Sequence, residues 1–304
     1  MDPRFFQPLW DLLGIRGLDA YLVFEWLPFL LSFPLTWFVT RHIRLPRVRM
    51  YACLLWTYWT GLLGSKAFHI LFDGGLDRYL DVARARGWGT LLRQEFLMPW
   101  TGGQVFYGGI LGGLAGCALL GLVLYRKRRS DILRAFDVLM FTYFLISALG
   151  RVGCFLQGCC YGRVSETFGL SFPGGSAAAR ALHRQGLLAD PGLATPPLIP
   201  TQLIEVATSG LILAFLFARL PSAPARWPGY FAWHALLFHA IARFGIEFLR
   251  FDPRGSLWGL STSQWIACAV VAVLVAVRAR GCWRPDSGPV PSPQDPLDAP
   301  GRPR

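Results

Sequence analysis

The chain has 304 residues, of which 53% are apolar and 14% aromatic, while only 16% are charged. This composition excludes an ordinary soluble globular domain, and the chain is long enough for several membrane spans. The formal net charge of +12 requires no nucleic-acid partner, because a basic cytoplasmic face beside anionic lipid accounts for it.

Seven apolar segments reach the length of about 20 residues that a helix needs to cross a bilayer core. Because seven spans put the termini on opposite sides, the many Lys and Arg residues of the short loops place the C-terminus in the cytoplasm. We therefore predict an all-α polytopic membrane protein with seven transmembrane helices and the N-terminus outside. In chain order, the segments lie near residues 20–40, 48–72, 103–125, 134–157, 200–220, 228–250 and 258–278.

Two stretches outside these segments have their own character. Residues 158–199 form the longest connection and are rich in Gly, Ala and Pro, and we expect them to make a small loop cap on the outer face. Residues 282–304 are rich in proline and are expected to be a disordered cytoplasmic tail. The seven-helix transmembrane domain is then residues 1–281.

Glycines crowd the third predicted span. Small residues at four-residue spacing let membrane helices approach closely, and this packing is sufficient reason for Gly112 and Gly116. The run GGQVFYGG at residues 102–109 is denser than helix packing requires. Glycines there would also let the backbone come close to a ligand.

Ionisable residues inside the predicted spans are candidate functional residues, because burying a charge in hydrocarbon is costly. On this topology most of them lie near the outer end of their helix, which suits a pocket open to the outer leaflet better than a permeation pathway. They are Glu25, Lys66, Asp137, Arg151, Glu205, Arg243 and Glu247.

The sixth predicted span carries a polar stripe. His239, Arg243, Glu247 and Arg250 follow one another at spacings of four, four and three residues, so they lie along one face of a helix. Guanidinium groups suit bidentate capture of phosphate, and the natural anion at this depth is a phospholipid headgroup. An internal ion pair between Arg243 and Glu247 that only stabilises the helix bundle is the alternative.

Four motifs resemble those of the prolipoprotein diacylglyceryl transferase family, over about residues 36–275. The stretch GRVGCFLQGCCYGR at 150–163 resembles GRxGNFxNGExxGR, and GGQVFYGGILGG at 102–113 resembles GGxxFHGGxxG. PTQLIE at 200–205 resembles PSQLYE, and RFGIEFLR at 243–250 resembles FRxxVEFFR. The resemblance implies an enzyme of the bacterial cytoplasmic (inner) membrane that needs no cofactor.

The resemblance implies a specific reaction and specific partners. The enzyme moves the diacylglyceryl group of phosphatidylglycerol to the lipobox cysteine thiol of a prolipoprotein signal peptide, the first step of lipoprotein maturation. The thiolate attacks the glyceryl carbon and the phosphate leaves. Phosphatidylglycerol, prolipoprotein signal peptides and the lipid bilayer are thus the expected partners, and no nucleic acid is expected.

Individual residues acquire roles from the same resemblance. Arg151 and Arg243 match the headgroup-binding arginines and would stabilise the leaving phosphate as catalytic groups. Tyr107 takes the position of the family histidine, and Lys66 that of an arginine. The further substrate-binding positions, from the motifs or the polar stripe, are Cys154, Cys159, Gly162, Gln202, Glu205, His239, Glu247 and Arg250.

Cys154, Cys159 and Cys160 mark a departure from the family motif, because Cys154 replaces its asparagine and Cys159 its glutamate. A disulfide within this cluster is one interpretation at an oxidising outer face. A catalytic thiol that serves as a base or takes the glyceryl group transiently is another. We expect no metal site, because neither a CxxC pair nor a clustered histidine completes four ligands.

Other functions remain open at this point. A membrane thiol redox or metal-handling protein on the same scaffold would use the cysteine cluster, and a paralogue with a different thiol acceptor would explain the altered polar positions. A seven-helix receptor or pump is disfavoured. A retinal-type pump needs a lysine in its last span, whereas the lysines of this chain are Lys66 and Lys127.

Overall fold

The computed structural model describes residues 20–72, 75–91, 106–124, 129–251 and 256–281. These residues are mostly helical. A 3-10 turn (Leu220–Ala225) follows α8, and a short hairpin of β1 (Ser256–Leu257) and β2 (Leu260–Ser261) precedes the last helix. The helices are α1 (Ala20–Ile43), α2 (Arg47–Phe72), α3 (Gly75–Arg86), α4 (Trp88–Leu91), α5 (Phe106–Leu124), α6 (Arg129–Gln157), α7 (Ala177–Arg184), α8 (Thr201–Arg219), α9 (Tyr230–Glu247) and α10 (Thr262–Ala279).

Each of the seven predicted apolar segments coincides with a long helix, in chain order α1, α2, α5, α6, α8, α9 and α10. Among the described residues, three stretches are long and apolar enough to cross a membrane: Arg129–Gln157, Thr201–Ala225 and Thr262–Ala279. A shorter apolar helix covers Leu111–Leu124. The architecture is that of an all-α membrane protein.

The described residues group into two compact units. One contains residues 20–43 and 140–281, and the other contains those between 44 and 139. In the second unit α2 and α5 pack through small residues, since a Cβ atom on Gly112 would lie 2.9 Å from the Gly64 Cα and one on Gly116 would collide with Thr60. The packing explanation for Gly112 and Gly116 is therefore confirmed.

The second unit also contains α3, a helix that the search for apolar spans did not identify. Its Tyr79 and Ala83, one turn apart, are buried and pack with Ile70 of α2. The rest of this short helix is largely charged or polar, so it leaves no long apolar run in the sequence.

Aromatic side chains hold together the helices of the first unit. The ring of Phe141 on α6 contacts Phe217 of α8 and Phe231 of α9, with ring centroids 5.3 and 5.4 Å apart. Helix α9 also packs against α10, and α1 packs against the 3-10 turn. This core fixes the relative positions of α6, α8 and α9, which carry most of the predicted site residues.

The predicted loop cap, residues 158–199, is a folded segment. Its buried Phe172, Leu182 and Leu198 form a hydrophobic core with Phe155 at the end of α6. Helix α7 lies within the segment and begins at Ser176, whose hydroxyl accepts a hydrogen bond from the backbone N–H of Ala179. The segment is thereby attached to the C-terminal end of α6. The predicted tail, residues 282–304, lies outside the described residues.

Candidate active site

The C-terminal end of α6 brings two cysteines together. The helix ends in a Schellman motif, in which left-handed Gly158 (φ 73°) donates its N–H to the Phe155 carbonyl at 3.1 Å and Cys159 donates to the Cys154 carbonyl at 3.0 Å. In this motif the second residue after the helix packs against the residue in the last helical turn. Because Cys159 and Cys154 occupy these two positions, the helix end itself juxtaposes their side chains.

Cys160 completes a cluster of three thiols. Its left-handed backbone (φ 62°) costs about 1–2 kcal/mol for a residue with a Cβ atom. Two side-chain hydrogen bonds from α8 hold residues 158–160, which we call the cysteine turn. Thr201 Oγ1 donates to the Cys160 carbonyl at 2.7 Å, and Gln202 Nε2 donates to the Cys159 carbonyl at 2.5 Å. The three Sγ atoms lie within 4.8 Å of one another. All three thiols are free, so the structure does not contain the disulfide that one interpretation of the sequence suggested.

The thiols of this cluster differ in their acidity. Hydrogen bonding with Cys154 and Cys160 raises the pKa of the Cys159 thiol well above the usual value. Hydrogen bonds from Cys154 and Cys159 lower the pKa of Cys160, and the positive charges of Arg151 and Arg250 lower it further. Cys160 is therefore the thiol that most readily becomes a thiolate, the form that acts as nucleophile or metal ligand.

Gly162 joins this turn to the ends of α8 and α9. Its N–H donates to the Ile199 carbonyl at 2.8 Å, and it forms a β-bridge with Arg250. A Cβ atom at this position would lie 2.5 Å from the Leu249 carbonyl oxygen and 2.9 Å from Thr201 Cγ2. Only glycine therefore fits here, which gives a packing reason for the glycine that the family motif requires at this position.

Three arginines converge on Glu205 of α8. Arg151 of α6 forms an ion pair with Glu205 through its Nε, and Arg243 of α9 contacts the same carboxylate through Nη1 at 2.9 Å. Arg250, just beyond α9, contacts it through Nη1 at 3.2 Å. Arg243 also reaches Glu247 through Nη2 at 3.0 Å, so the predicted internal ion pair of α9 exists within a larger cluster. We refer to these five residues as the arginine–glutamate cluster.

The arginine–glutamate cluster is buried and positively charged. The arginine side chains are 18%, 13% and 3% exposed for Arg151, Arg243 and Arg250, and the two glutamates are 10% exposed or less. Among the ion pairs of the described residues, three guanidinium groups face two carboxylates, which leaves one positive charge. Such a surplus at low dielectric favours an anion, because screening by water is weak there.

Gln202 adds an unsatisfied acceptor beside these groups. The residue is fully buried, and its Oε1 has no hydrogen-bond partner among the described residues, although its Nε2 holds the cysteine turn. Buried polar atoms are almost always hydrogen-bonded in native proteins. The predicted substrate-binding role of Gln202 remains a prediction.

His239 lies apart from the contacts of the arginine–glutamate cluster. It is on α9, one turn before Arg243, and its ring meets Tyr143 and Phe144 of α6 edge to face, with centroids 6.0 and 5.6 Å away. The structure therefore places His239 in the aromatic packing between two helices. Its predicted substrate-binding role remains a prediction.

Two predicted site residues belong to the other unit. Lys66 is 1% exposed, and its Nζ lies 5.5 Å from the centroid of the Tyr79 ring. Tyr107 lies in the first turn of α5, and its side chain is outside the described part of the structure. The structure brings together Arg151, Glu205, Arg243, Glu247 and Arg250, and beside them Cys154, Cys159, Gly162 and Gln202.

Two residues of this region were not predicted as site residues. Cys160 lies in the cluster with the other thiols, and Thr201 holds its backbone. The sequence contains a signal for the first, because a glycine followed by cysteines after a long apolar helix is consistent with a Schellman motif. The contact of Thr201 depends on the tertiary position of α8, which no local pattern predicts.

Replacing Gly162 with alanine should loosen the cysteine turn. The new Cβ would force apart the Leu249 carbonyl and Thr201, and overpacking of this kind costs about 1–3 kcal/mol. We expect Cys159 and Cys160 to react faster with a maleimide, as measured by mass spectrometry of peptides. Cys268, which is exposed on α10, serves as the internal control. Equal reactivity of the turn cysteines in the wild type and the variant would contradict the proposed packing role.

Comparison with known proteins identifies the family. The model of the prolipoprotein diacylglyceryl transferase family matches residues 11–279. Phosphatidylglycerol–prolipoprotein diacylglyceryl transferase 2 of Clostridium perfringens is 30% identical over 73% of this chain and 75% of its own length. The phosphatidylglycerol–prolipoprotein diacylglyceryl transferase of Clostridium tetani is 29% identical over 71% of this chain and 74% of its own. The chain therefore belongs to the prolipoprotein diacylglyceryl transferase family.

Proposed function

We propose that the protein transfers the diacylglyceryl group of phosphatidylglycerol to the lipobox cysteine thiol of prolipoproteins, the first step of bacterial lipoprotein maturation. Membership of the transferase family supports the reaction. The observation that carries the assignment in this chain is the convergence of three buried arginines on Glu205. This cluster has the charge and the donors that a phospholipid phosphate needs.

The arginine–glutamate cluster would stabilise the phosphate that leaves when the carbon–oxygen bond breaks. The acceptor thiolate attacks the glyceryl carbon, a sulfur–carbon bond forms, and the carbon–oxygen bond to phosphate breaks. The electron pair stays on the phosphate oxygen, so negative charge grows on the departing glycerol phosphate. Arg151 and Arg243 hold that phosphate and stabilise the charge it carries away.

The carboxylates of the cluster position the arginines. Glu205 contacts all three guanidinium groups, and Glu247 holds the second Nη of Arg243. A fixed array of donors needs no reorganisation when charge develops in the transition state. The resemblance to the family implies two further roles: Tyr107, at the place of the family histidine, would accept or donate a proton, and Lys66 would bind the headgroup.

The chain has seven transmembrane helices in this proposal, with the N-terminus outside, the C-terminus in the cytoplasm and residues 158–199 on the outer face of the bacterial inner membrane. The seven long helices and the basic loops between them support this topology. The substrate phospholipid then reaches the arginine–glutamate cluster from the outer leaflet, where the signal peptide presents its cysteine.

A transfer assay tests the proposal. The full chain, purified in detergent, is given phosphatidylglycerol labelled in its acyl chains and a lipobox peptide, and a transferase of established activity is assayed in parallel. We expect label on the cysteine peptide and none on the same peptide with serine at that position. Absence of label on the cysteine peptide, while the reference enzyme labels it, would refute the assignment.

A further inference from the structure

The three thiols at the end of α6 have the spacing of a metal site. Their Sγ atoms lie within 4.8 Å of one another. Zinc binds thiolate sulfur at about 2.3 Å, so three sulfurs on a tetrahedral zinc ion are about 3.8 Å apart. The separations in the structure exceed that spacing by at most about 1 Å.

The chemistry of the cluster favours one class of ion. Thiolates select soft or borderline cations such as zinc and copper(I), and exclude magnesium and calcium. Among the described residues, no histidine or carboxylate joins the three cysteines as a possible fourth ligand. Structural zinc sites have four protein ligands, whereas catalytic sites have three and leave a position for water or substrate.

The surroundings hold the three cysteines in a fixed arrangement. Thr201 and Gln202 of α8 donate side-chain hydrogen bonds to the backbone carbonyls of the cysteine turn. The strained backbone of Cys160 is thereby kept in place, and such strain persists only where the surrounding structure enforces it. All three cysteines are half-buried.

We propose that Cys154, Cys159 and Cys160 bind one zinc ion, and that the acceptor cysteine of the substrate occupies its fourth coordination position. This inference rests on the proposed function, because that function supplies a thiol substrate. The described residues supply no fourth ligand, and the coordination position that is left is the one that such a substrate requires.

Zinc would promote deprotonation of the acceptor thiol. The nucleophile must be a thiolate, and a thiol that coordinates zinc loses its proton, here to water. The zinc-bound sulfur then attacks the glyceryl carbon, the carbon–oxygen bond breaks, and the electron pair leaves on the phosphate oxygen. The product is a neutral thioether, a weaker ligand than a thiolate, and it dissociates from the metal.

Metal content tests the first half of the inference. The full chain is purified with zinc, dialysed and analysed for zinc per chain. We expect one zinc in the wild type and in Cys268→Ser, an exposed cysteine elsewhere, and loss of zinc in Cys154→Ser, Cys159→Ser and Cys160→Ser. Zinc should also protect these three cysteines of the wild type, but not Cys268, from alkylation. A wild type that retains no zinc, or unprotected cysteines, would overturn the site.

Cobalt(II) in place of zinc tests the second half. Each cobalt–thiolate bond adds charge-transfer absorption in the near ultraviolet. A lipobox peptide with cysteine should increase this absorption, and the serine peptide should not. An equal response to both peptides would overturn the role of the acceptor thiol. Neither measurement requires turnover, so both can succeed or fail independently of the proposed function. Transfer by enzyme stripped of metal would overturn the zinc proposal and leave the function standing. Absence of transfer by zinc-loaded enzyme would refute the function and leave the zinc site standing.

Discussion

Replacing Glu205 with glutamine is expected to lower the free energy of unfolding by about 3–5 kcal/mol, the usual cost of removing one partner from a buried ion pair. Glutamine has the same shape but no charge. The three buried guanidinium groups would then lose the carboxylate that they share, and the amide nitrogen would place two N–H donors beside groups that can only donate. Denaturant titration of the protein in detergent micelles measures the change.

Glu166 provides the matched control. It lies exposed in residues 158–199, and Glu166→Gln should change the free energy of unfolding by no more than about 0.5 kcal/mol. If Glu205→Gln unfolds at the same denaturant concentration as the control, water reaches the arginines. The description of the cluster as a buried, low-dielectric site would then be wrong.

The helices were largely predictable from the sequence, because hydropathy is a property of consecutive residues. All seven predicted segments coincide with helices. The two helices of eight or more residues that were missed, α3 and α7, are short and interrupted by charged residues, five of twelve in α3 and two of eight in α7. Such helices form where a few apolar side chains find a partner, as Tyr79 and Ala83 do with Ile70. That partner is a tertiary contact, which a search for apolar runs does not detect.

The candidate site was predictable in part for the same reason. The stripe of Arg243, Glu247 and Arg250 follows from the helical repeat, and the pair between Arg243 and Glu247 is present. The meeting of Arg151 and Arg250 at Glu205 brings together α6, α8 and the end of α9, so it depends on helix packing. The polar stripe on α9 allowed two interpretations, a stabilising ion pair or a phosphate-binding site. The structure contains the pair within a cluster that has a surplus positive charge.

The thiol cluster could not be predicted from the sequence, for a different reason. Their spacing in the sequence, five residues and then one, fits no common metal motif. Contact arises because the Schellman motif reverses the chain at Gly158 and the left-handed turn at Cys160 returns the third thiol to the first. Such a turn is stable only when Thr201 and Gln202 hold it from another helix. Backbone conformation, and not sequence spacing, creates the cluster.

Arg243→Lys should reduce kcat of diacylglyceryl transfer by about 10²–10³-fold, the range found when one donor to a developing oxyanion is removed. Arg243 contacts Glu205 and Glu247 through its two Nη atoms. A lysine keeps the positive charge but not the planar fork, which suits carboxylate and phosphate alike. Because charge is conserved, the free energy of unfolding should fall by only about 1 kcal/mol, the value of a lost hydrogen bond.

The separation of these two effects distinguishes a role in chemistry from a role in packing. Arg219→Lys, at the exposed end of α8 where the arginine lies over the Phe215 ring, is the control and should leave both kcat and stability unchanged. Loss of kcat in Arg243→Lys without comparable loss of stability would support phosphate stabilisation by the arginine–glutamate cluster. If instead kcat remains at the wild-type level, a single positive charge is sufficient at this position. Arg243 would then serve the helix bundle as an ion-pair partner, and phosphate binding would have to depend on Arg151 and Arg250.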